Sequence, residues 1–179
     1  CIWQTDPPWY GDVLERLDYF SVREPISQAQ AEACGRRPEV RLDLCTDRGP
    51  DGEPFMALSG VVNGHGGRIP GAPKLRLKQP FPDVVATLAQ ADVYITQEQH
   101  GVYAAGLAGI GFVPLKIDFH KIAGLIGWSG CEIPIVDLDD TEGINRGIEY
   151  ARDCPEVFRD FHNFLMDGPK LRVAYDLGV

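Results

Sequence analysis

The sequence has no long apolar run and no excess of positive charge. None of its hydrophobic stretches approaches the roughly 18 residues of a transmembrane helix, and its start lacks the basic-then-apolar pattern of a signal peptide. Acidic residues outnumber basic ones by 26 to 17, and the formal net charge is −9. Because a duplex-binding protein needs a basic face, this composition argues against direct nucleic-acid binding. We expect a protein without a membrane span in a reducing cytoplasm.

Paired cysteines are also lacking. The five cysteines are scattered and include no C-x-x-C pair, so neither a disulfide framework nor a zinc site is predicted. Small buried apolar side chains explain them better. Cys1 stands where an initiator methionine is usual. Among processing, lipid modification of this cysteine and a chain cut from something longer, we rank the last first.

The first half of the chain is predicted to contain short elements joined by turns. A helical turn is predicted over 12–17, strands over 18–23 and 40–45, and between them a helix over 28–34. Pro25 opens this helix, Ser27 is its candidate cap, and Gly35 ends it. Residues 46–82 are rich in Gly, Pro, Asn and Asp, with strands predicted over 55–62 and 74–78. We therefore predict a small irregular β-rich excursion around 46–80, whose free strand edge would allow a homodimer.

After residue 82 the pattern changes to a regular alternation of helices and strands. Helices are predicted over 83–91, 100–108, 120–126, 141–152 and 156–166, and strands over 93–96, 112–115 and 133–136. Strands that alternate with helices at this spacing indicate βαβ units and a parallel sheet. The 179 residues, 44% of them hydrophobic, suffice for one compact core. We predict an α/β fold, with one Rossmann-like three-layer domain over 1–179 and a mainly parallel sheet.

The main candidate site is Thr96-Gln-Glu-Gln-His-Gly101, at the carboxyl end of a predicted strand and the start of a helix. In open α/β sheets, ligands bind at that edge. Unpaired backbone N–H groups and the positive end of the helix favour a phosphate or carboxylate there, and Gly101 permits close approach of the backbone. His100 can donate a hydrogen bond to an anion or move a proton. The alternative is a histidine that caps the helix for structural reasons.

Three stretches of the chain resemble the polysaccharide pyruvyltransferases. Residues 91–115, with the His-Gly loop, a helix of small residues and a strand ending Val-Pro-Leu, are similar to the family's C-terminal signature. Residues 121–128, Lys-Ile-Ala-Gly-Leu-Ile-Gly-Trp, match the helix that follows it. Residues 18–27, Asp-Tyr-Phe-Ser-Val-Arg-Glu-Pro-Ile-Ser, with a strand ending near 43–47, resemble its Ser-Val-Arg-Glu…Ser element. The matched stretches keep the family's order.

The resemblance implies one lobe of a GT-B fold and the transfer of a pyruvyl group from phosphoenolpyruvate to a sugar hydroxyl. It implies that His100 is a general acid or faces the phosphate, and that Arg23 binds the carboxylate or phosphate of the donor. Lys121 matches a position to which only anion binding can be assigned. The implied partners are therefore a small-molecule donor, phosphoenolpyruvate or a nucleotide-sugar, and a sugar or glycan acceptor. No separate cofactor and no metal are predicted.

The chain also departs from the family's pattern. Glu98 stands where the family has arginine two residues before the histidine, and a carboxylate there repels an anionic donor. Gly111 replaces a proline. The chain is short for two lobes, so it is either a part or a reduced relative of a two-lobed protein. In a nucleotide-sugar glycosyltransferase of GT-B shape, Glu98 would instead accept hydrogen bonds from ribose or sugar hydroxyls. A non-catalytic Rossmann-like domain that binds a ligand or partner is the third hypothesis.

Two further motifs carry weaker signals. The segment Gly64-His-Gly-Gly67 is able to form a backbone nest for an anion, although an exposed turn explains it better. Asp137, Asp139 and Asp140 precede a predicted helix. Their position fits charge at a helix N-terminus better than a metal site.

Overall fold

The computed structural model describes residues 13–17, 19–47, 51–118 and 120–169. The strands are β1 (Ser21–Val22), β2 (Glu39–Val40), β3 (Val61–Asn63), β4 (Val93–Thr96) and β5 (Gly111–Pro114). The helices are α1 (Pro25–Ala33), α2 (Phe81–Leu88), α3 (Gln99–Ala108), α4 (Lys121–Ser129), α5 (Thr141–Asp153) and α6 (Pro155–Asp167). A 3₁₀ helix spans Leu44–Asp47, and residues 13–15 form a helical turn. Among the described helices, none has the length and hydropathy that crossing a membrane requires.

The strands form two parallel sheets. β1 pairs with β2, and β3, β4 and β5 lie side by side in that order. Single parallel bridges join Lys74 to Asn63 at one edge of the larger sheet and Val136 to Leu115 at the other. The predicted α/β class with parallel strands is therefore confirmed.

Helices cover both faces of the larger sheet. Neighbouring residues of a strand point to opposite faces, and Phe112 and Val113 of β5 show what lies on each. The ring of Phe112 packs edge-on against Phe158 of α6, with the ring centroids 5.1 Å apart. Val113 packs against Gly147 of α5, where a Cβ would lie only 3.0 Å from a valine methyl. Every residue of β4 is buried, as its continuous apolar sequence predicts for a central parallel strand.

Several predicted strands are shorter than the sequence suggested. The strand predicted over 55–62 begins only at Val61, because the backbone N–H of Phe55 donates to the side chain of Thr87 in α2 and not to a neighbouring strand. The strand predicted over 74–78 is reduced to the bridge at Lys74, and that over 133–136 to the bridge at Val136. Residues 48–50 lie outside the described residues. In its described part, the 46–80 segment is thus less rich in strands than predicted.

The side chain of Asn63 organises the loop that follows β3. Its Nδ2 donates to the carbonyl oxygen of Ile69, and its Oδ1 accepts the N–H of the same residue, both at 2.9 Å. A second donation, 3.3 Å long, reaches the carbonyl of Ala72. One buried amide therefore satisfies backbone groups that a strand pairing would otherwise satisfy. This explains why the segment stays irregular.

The N-terminus of α1 also differs from its prediction. The helix begins at Pro25, three residues before the predicted start at Gln28, and its cap is Glu24 and not Ser27. The Glu24 carboxylate accepts the backbone N–H of Ile26 at 2.7 Å and that of Ser27 at 3.0 Å. A glutamate three residues earlier thus satisfies the N–H groups for which the sequence suggested a serine.

We predict that two helical glycines respond to alanine in opposite ways. A Cβ on Gly106 would lie 2.7 Å from both Leu165 and Phe161, so Gly106→Ala should lower the free energy of unfolding by about 1–2 kcal/mol through overpacking. Gly127 is exposed in α4, with nothing within 4 Å of a Cβ. Gly127→Ala should raise it by about 0.5–1 kcal/mol. Urea unfolding of both variants measures the difference, and equal effects would show that α3 is not tightly packed on α6.

Candidate functional site

The four charged or titratable side chains singled out in the sequence line one cleft. Arg23, Glu98, His100 and Lys121 surround a space of about 480 Å³ at the carboxyl end of β4. The rest of the lining is formed by Leu77, Gln79, Phe81, Val84, Gln97, Gln99 and Ile117. Residues far apart in the sequence therefore meet at the sheet edge where ligands of α/β proteins bind.

Three separate elements supply these side chains. Arg23 follows β1, and Lys121 is the first residue of α4. His100 lies in the first turn of α3, after the loop that leaves β4. In that loop, the N–H of Glu98 donates to the side chain of Thr96 at 3.1 Å. This bond fixes the turn between the buried strand and α3, and so the direction in which α3 departs.

Gly101 does not line the cleft. It is buried in α3, and a Cβ at this position would lie 2.5 Å from Oγ1 of Thr96. Its missing side chain thus lets α3 pack against the end of β4. The sequence predicted instead that this glycine brings the backbone close to a ligand.

His100 does not cap its helix. It lies inside α3, whose N-cap residue is Glu98. Its side chain is about half exposed, and its Nε2 lies 3.4 Å from Oδ2 of Asp43. The alternative that His100 caps the helix for structural reasons is therefore wrong.

Asp43 is the site residue that the sequence did not single out. Its Oδ2 lies 2.5 Å from the guanidinium of Arg23 as well as near His100. Its Oδ1 accepts the N–H of Cys45 at 3.2 Å. In the sequence, Asp43 is marked only by its position near the end of a predicted strand. This position does not distinguish it from the many other acidic residues of the chain. Asp43 joins the cation and the histidine of the cleft.

The surroundings of Asp43 keep it ionised. Burial by itself raises the pKa of this carboxyl, but the hydrogen bonds from His100, Arg23 and the N–H of Cys45 outweigh burial and hold the pKa well below its ordinary value. The neighbouring thiol responds in the opposite sense. Burial and the charge of Asp43 raise the pKa of Cys45 far above its ordinary range. Cys45 is therefore a neutral thiol at physiological pH, which argues against a nucleophilic role.

Asp43 also fixes how His100 is protonated. Because an ionised carboxylate only accepts, the nitrogen that faces it must carry a proton. In the neutral imidazole this leaves Nδ1 as the base, and in the imidazolium both nitrogens donate. A histidine oriented by a carboxylate in this way is the arrangement used for general acid–base catalysis.

Comparison of the chain with protein-family models, with curated proteins and with solved structures found no match. The likeness to the polysaccharide pyruvyltransferases therefore remains a prediction based on the motifs quoted above.

The weaker motifs of the sequence have structural explanations. Asp140 is the N-cap of α5, and its Oδ1 accepts the N–H of Gly143 at 2.8 Å. Within the described residues, no group of three or more His, Cys, Asp or Glu side chains could hold a metal ion. A side chain on Gly64 would overlap the ring of Tyr94, so this glycine is required for packing at the end of β3.

We predict that Asp43 makes folding stability depend on acid pH. Because its pKa is lowered in the folded state, its contribution is fully present well above the ordinary value of 3.8 and is lost as pH falls through the lowered pKa. Between pH 7 and pH 3 the wild type should lose about 1 kcal/mol more of its free energy of unfolding than Asp43→Asn. Urea unfolding across this range measures the loss. Asp160→Asn, an exposed substitution on α6, is the control and should follow the wild type.

Proposed function

We propose that this chain is a transferase that moves a pyruvyl group from phosphoenolpyruvate to a sugar or glycan hydroxyl, in a Rossmann-like domain resembling one lobe of a GT-B fold. The observation that carries the proposal is the shared cleft. Arg23, His100 and Lys121 come from the motifs that resemble the pyruvyltransferases, and all three line it. Motifs retained only for packing would have no need to place their polar side chains around one open space.

The charges of the cleft suit a small anion. Arg23 offers a planar fork of N–H donors that can stay on Asp43 and still face a carboxylate or phosphate. Lys121 adds a second positive charge, and the first turn of α3 adds the positive end of a helix. As phosphate departs from the donor, negative charge grows on it. Cations already in place stabilise that charge at little cost in reorganisation.

His100 supplies the proton transfers of the proposed reaction. The imidazolium gives its proton to the methylene carbon of phosphoenolpyruvate while an acceptor hydroxyl bonds to the adjacent carbon, and the neutral imidazole then takes the hydroxyl proton. A second acceptor hydroxyl displaces phosphate from the same carbon, and its proton leaves with the phosphate. The products are a pyruvate ketal and inorganic phosphate. Asp43 orients His100 through its contact with Nε2.

Glu98 favours a second candidate, a nucleotide-sugar glycosyltransferase. Its side chain lines the cleft. A carboxylate in this position accepts hydrogen bonds from ribose or sugar hydroxyls, whereas it repels phosphoenolpyruvate. In this case His100 would take the proton of the acceptor hydroxyl, and the nucleoside diphosphate would leave.

We predict that phosphoenolpyruvate raises the melting temperature of the wild type by mass action. The shift should disappear in His100→Ala and Arg23→Met, because each removes a group facing the ligand. His65→Ala is the matched control, since His65 is exposed and outside the lining of the cleft. Differential scanning fluorimetry with phosphoenolpyruvate, UDP-sugars and GDP-sugars measures the shift. If none of these ligands stabilises the protein, both transferase proposals fail and the non-catalytic hypothesis stands.

Glu98→Gln separates the two donors. Removing the negative charge should tighten phosphoenolpyruvate binding by about three- to tenfold, since the repulsion between two like charges screened by water is worth on the order of 1 kcal/mol. The same substitution should weaken or leave unchanged the binding of a nucleotide-sugar, because the amide is a poorer acceptor. Isothermal titration calorimetry with both ligands decides the matter. Tighter binding of the nucleotide-sugar alone would contradict the role assigned to Glu98.

A further inference from the structure

A buried polar cluster lies beside the two cations of the cleft. Nε2 of His120 lies 3.2 Å from Oγ of Ser27 and 3.3 Å from Oε1 of Glu24. Ser27 in turn donates its hydroxyl to the Glu24 carboxylate. Glu24 is 2% exposed and the side chain of His120 11%. These three residues, called the Glu24–Ser27–His120 cluster below, join α1 to the start of α4.

The cluster fixes the protonation of its histidine. Glu24 accepts N–H groups of α1 and the hydroxyl of Ser27, so it acts as an acceptor and Nε2 of His120 must donate to it. Nδ1 is buried and has no hydrogen-bond partner among the described residues. Among the described residues, this imidazole therefore forms hydrogen bonds only through Nε2, to Glu24 and Ser27 at the start of α1.

Chain connectivity places both cations next to this cluster. Arg23 directly precedes Glu24, and Lys121 directly follows His120. Arg23 and Lys121 line the cleft together, and they also line a second, adjoining cavity of about 260 Å³. The hydrogen bonds of the cluster thus join the start of α1 directly to the start of α4. The separation of these two segments sets the distance between Arg23 and Lys121.

Gly124 shows that this approach of the two helices is close. A Cβ on Gly124 of α4 would overlap the Glu24 carboxylate. Any larger residue there would push α4 away from α1, and with it Lys121 away from Arg23. The separation of the cations therefore depends on both the hydrogen bonds and the absence of a side chain.

Stability alone is a weak reason for such a cluster. Well-packed apolar residues of similar volume are often at least as stable as buried charged and polar groups. What directional bonds supply, and apolar contacts do not, is a defined distance and orientation. Positioning matters in a site of this kind, because a shift of about 1 Å can cost on the order of 100-fold in rate.

We propose that the Glu24–Ser27–His120 cluster positions Arg23 and Lys121 at the separation that an anionic donor requires. The proposal rests on the proposed function, since it assumes that the two cations bind the donor. The three residues touch no substrate in this scheme. They act through Arg23, which reaches His100 by way of their shared partner Asp43, and through Lys121.

The test compares two amides at position 120. The side-chain nitrogen of glutamine can reach the place of Nε2, whereas that of asparagine reaches only the place of Nδ1. His120→Gln should keep the dissociation constant for phosphoenolpyruvate within about threefold of the wild type, and His120→Asn should raise it about tenfold or more. Calorimetry well below the melting temperature measures both. Ser27→Ala, which removes one contact of Nε2, is the milder variant should His120→Asn not fold.

A matched control separates positioning from stability. Nδ1 of His162 in α6 lies 2.9 Å from the carbonyl oxygen of Gly106, outside the lining of the cleft. His162→Gln, whose side-chain nitrogen reaches the place of Nε2 and not that of Nδ1, breaks this bond and should lower the melting temperature while it leaves the dissociation constant unchanged. If His120→Asn also changes only the melting temperature, the cluster is merely structural and the proposal is overturned.

A ligand-free measurement keeps this test independent of the proposed donor. If the wild type does not bind phosphoenolpyruvate, the proposed pyruvyl donor is wrong, and the imidazole C–H resonances of His100 then report on the cluster. Those resonances should move in His120→Asn, because Arg23 loosens from Asp43, and should stay in place in His120→Gln and His162→Gln. Unchanged His100 resonances in His120→Asn would overturn the positioning role whatever the ligand.

Discussion

The arrangement of the cleft depends on the carboxylate of Asp43. It is mostly buried, and one of its oxygens contacts both the guanidinium of Arg23 and the imidazole of His100. A buried charge without partners is strongly destabilising. The folded state is therefore favoured when Arg23 and His100 stay in contact with the carboxylate, and these contacts keep Asp43 ionised. Arg23 lies in the N-terminal part of the chain and His100 beside the larger sheet. Their shared carboxylate therefore joins the two parts at the point where a ligand would bind.

The same carboxylate limits which anions the cleft can bind. A ligand that approaches Arg23 must share the guanidinium with Asp43, and Glu98 adds a second negative charge to the lining. The favourable charge is therefore concentrated near Lys121, the outer edge of Arg23 and the first turn of α3. A compact ligand with its negative groups close together fits this pattern better than a long one with charge along its whole length. Phosphoenolpyruvate has this property, and so does the diphosphate of a nucleotide-sugar.

Local signals made the central elements predictable. The strand predicted over 93–96 is β4, and the helix predicted over 100–108 begins one residue earlier, as α3, and ends at Gly109 with a positive φ of 70°. A continuous apolar run and a glycine stop are properties of neighbouring residues. β1 and β2 have only two residues each and pair with one another. The length of each strand is set by its pairing with the other, which the hydrophobic pattern of one segment does not show. Asp43 was missed for the same reason, because its role arises from contacts with residues distant in the sequence.

The capping role of Glu24 also explains how its contact with His120 can fix a distance. The carboxylate accepts two N–H groups at the start of α1, so α1 already holds it in place before α4 contacts it. His120 therefore binds to a preorganised acceptor, and less conformational entropy is lost than if a free glutamate had to be ordered. Arg23, next in the chain, is held by this fixed backbone at one end and by Asp43 at the other. A long and otherwise mobile cation thereby becomes a defined part of the cleft.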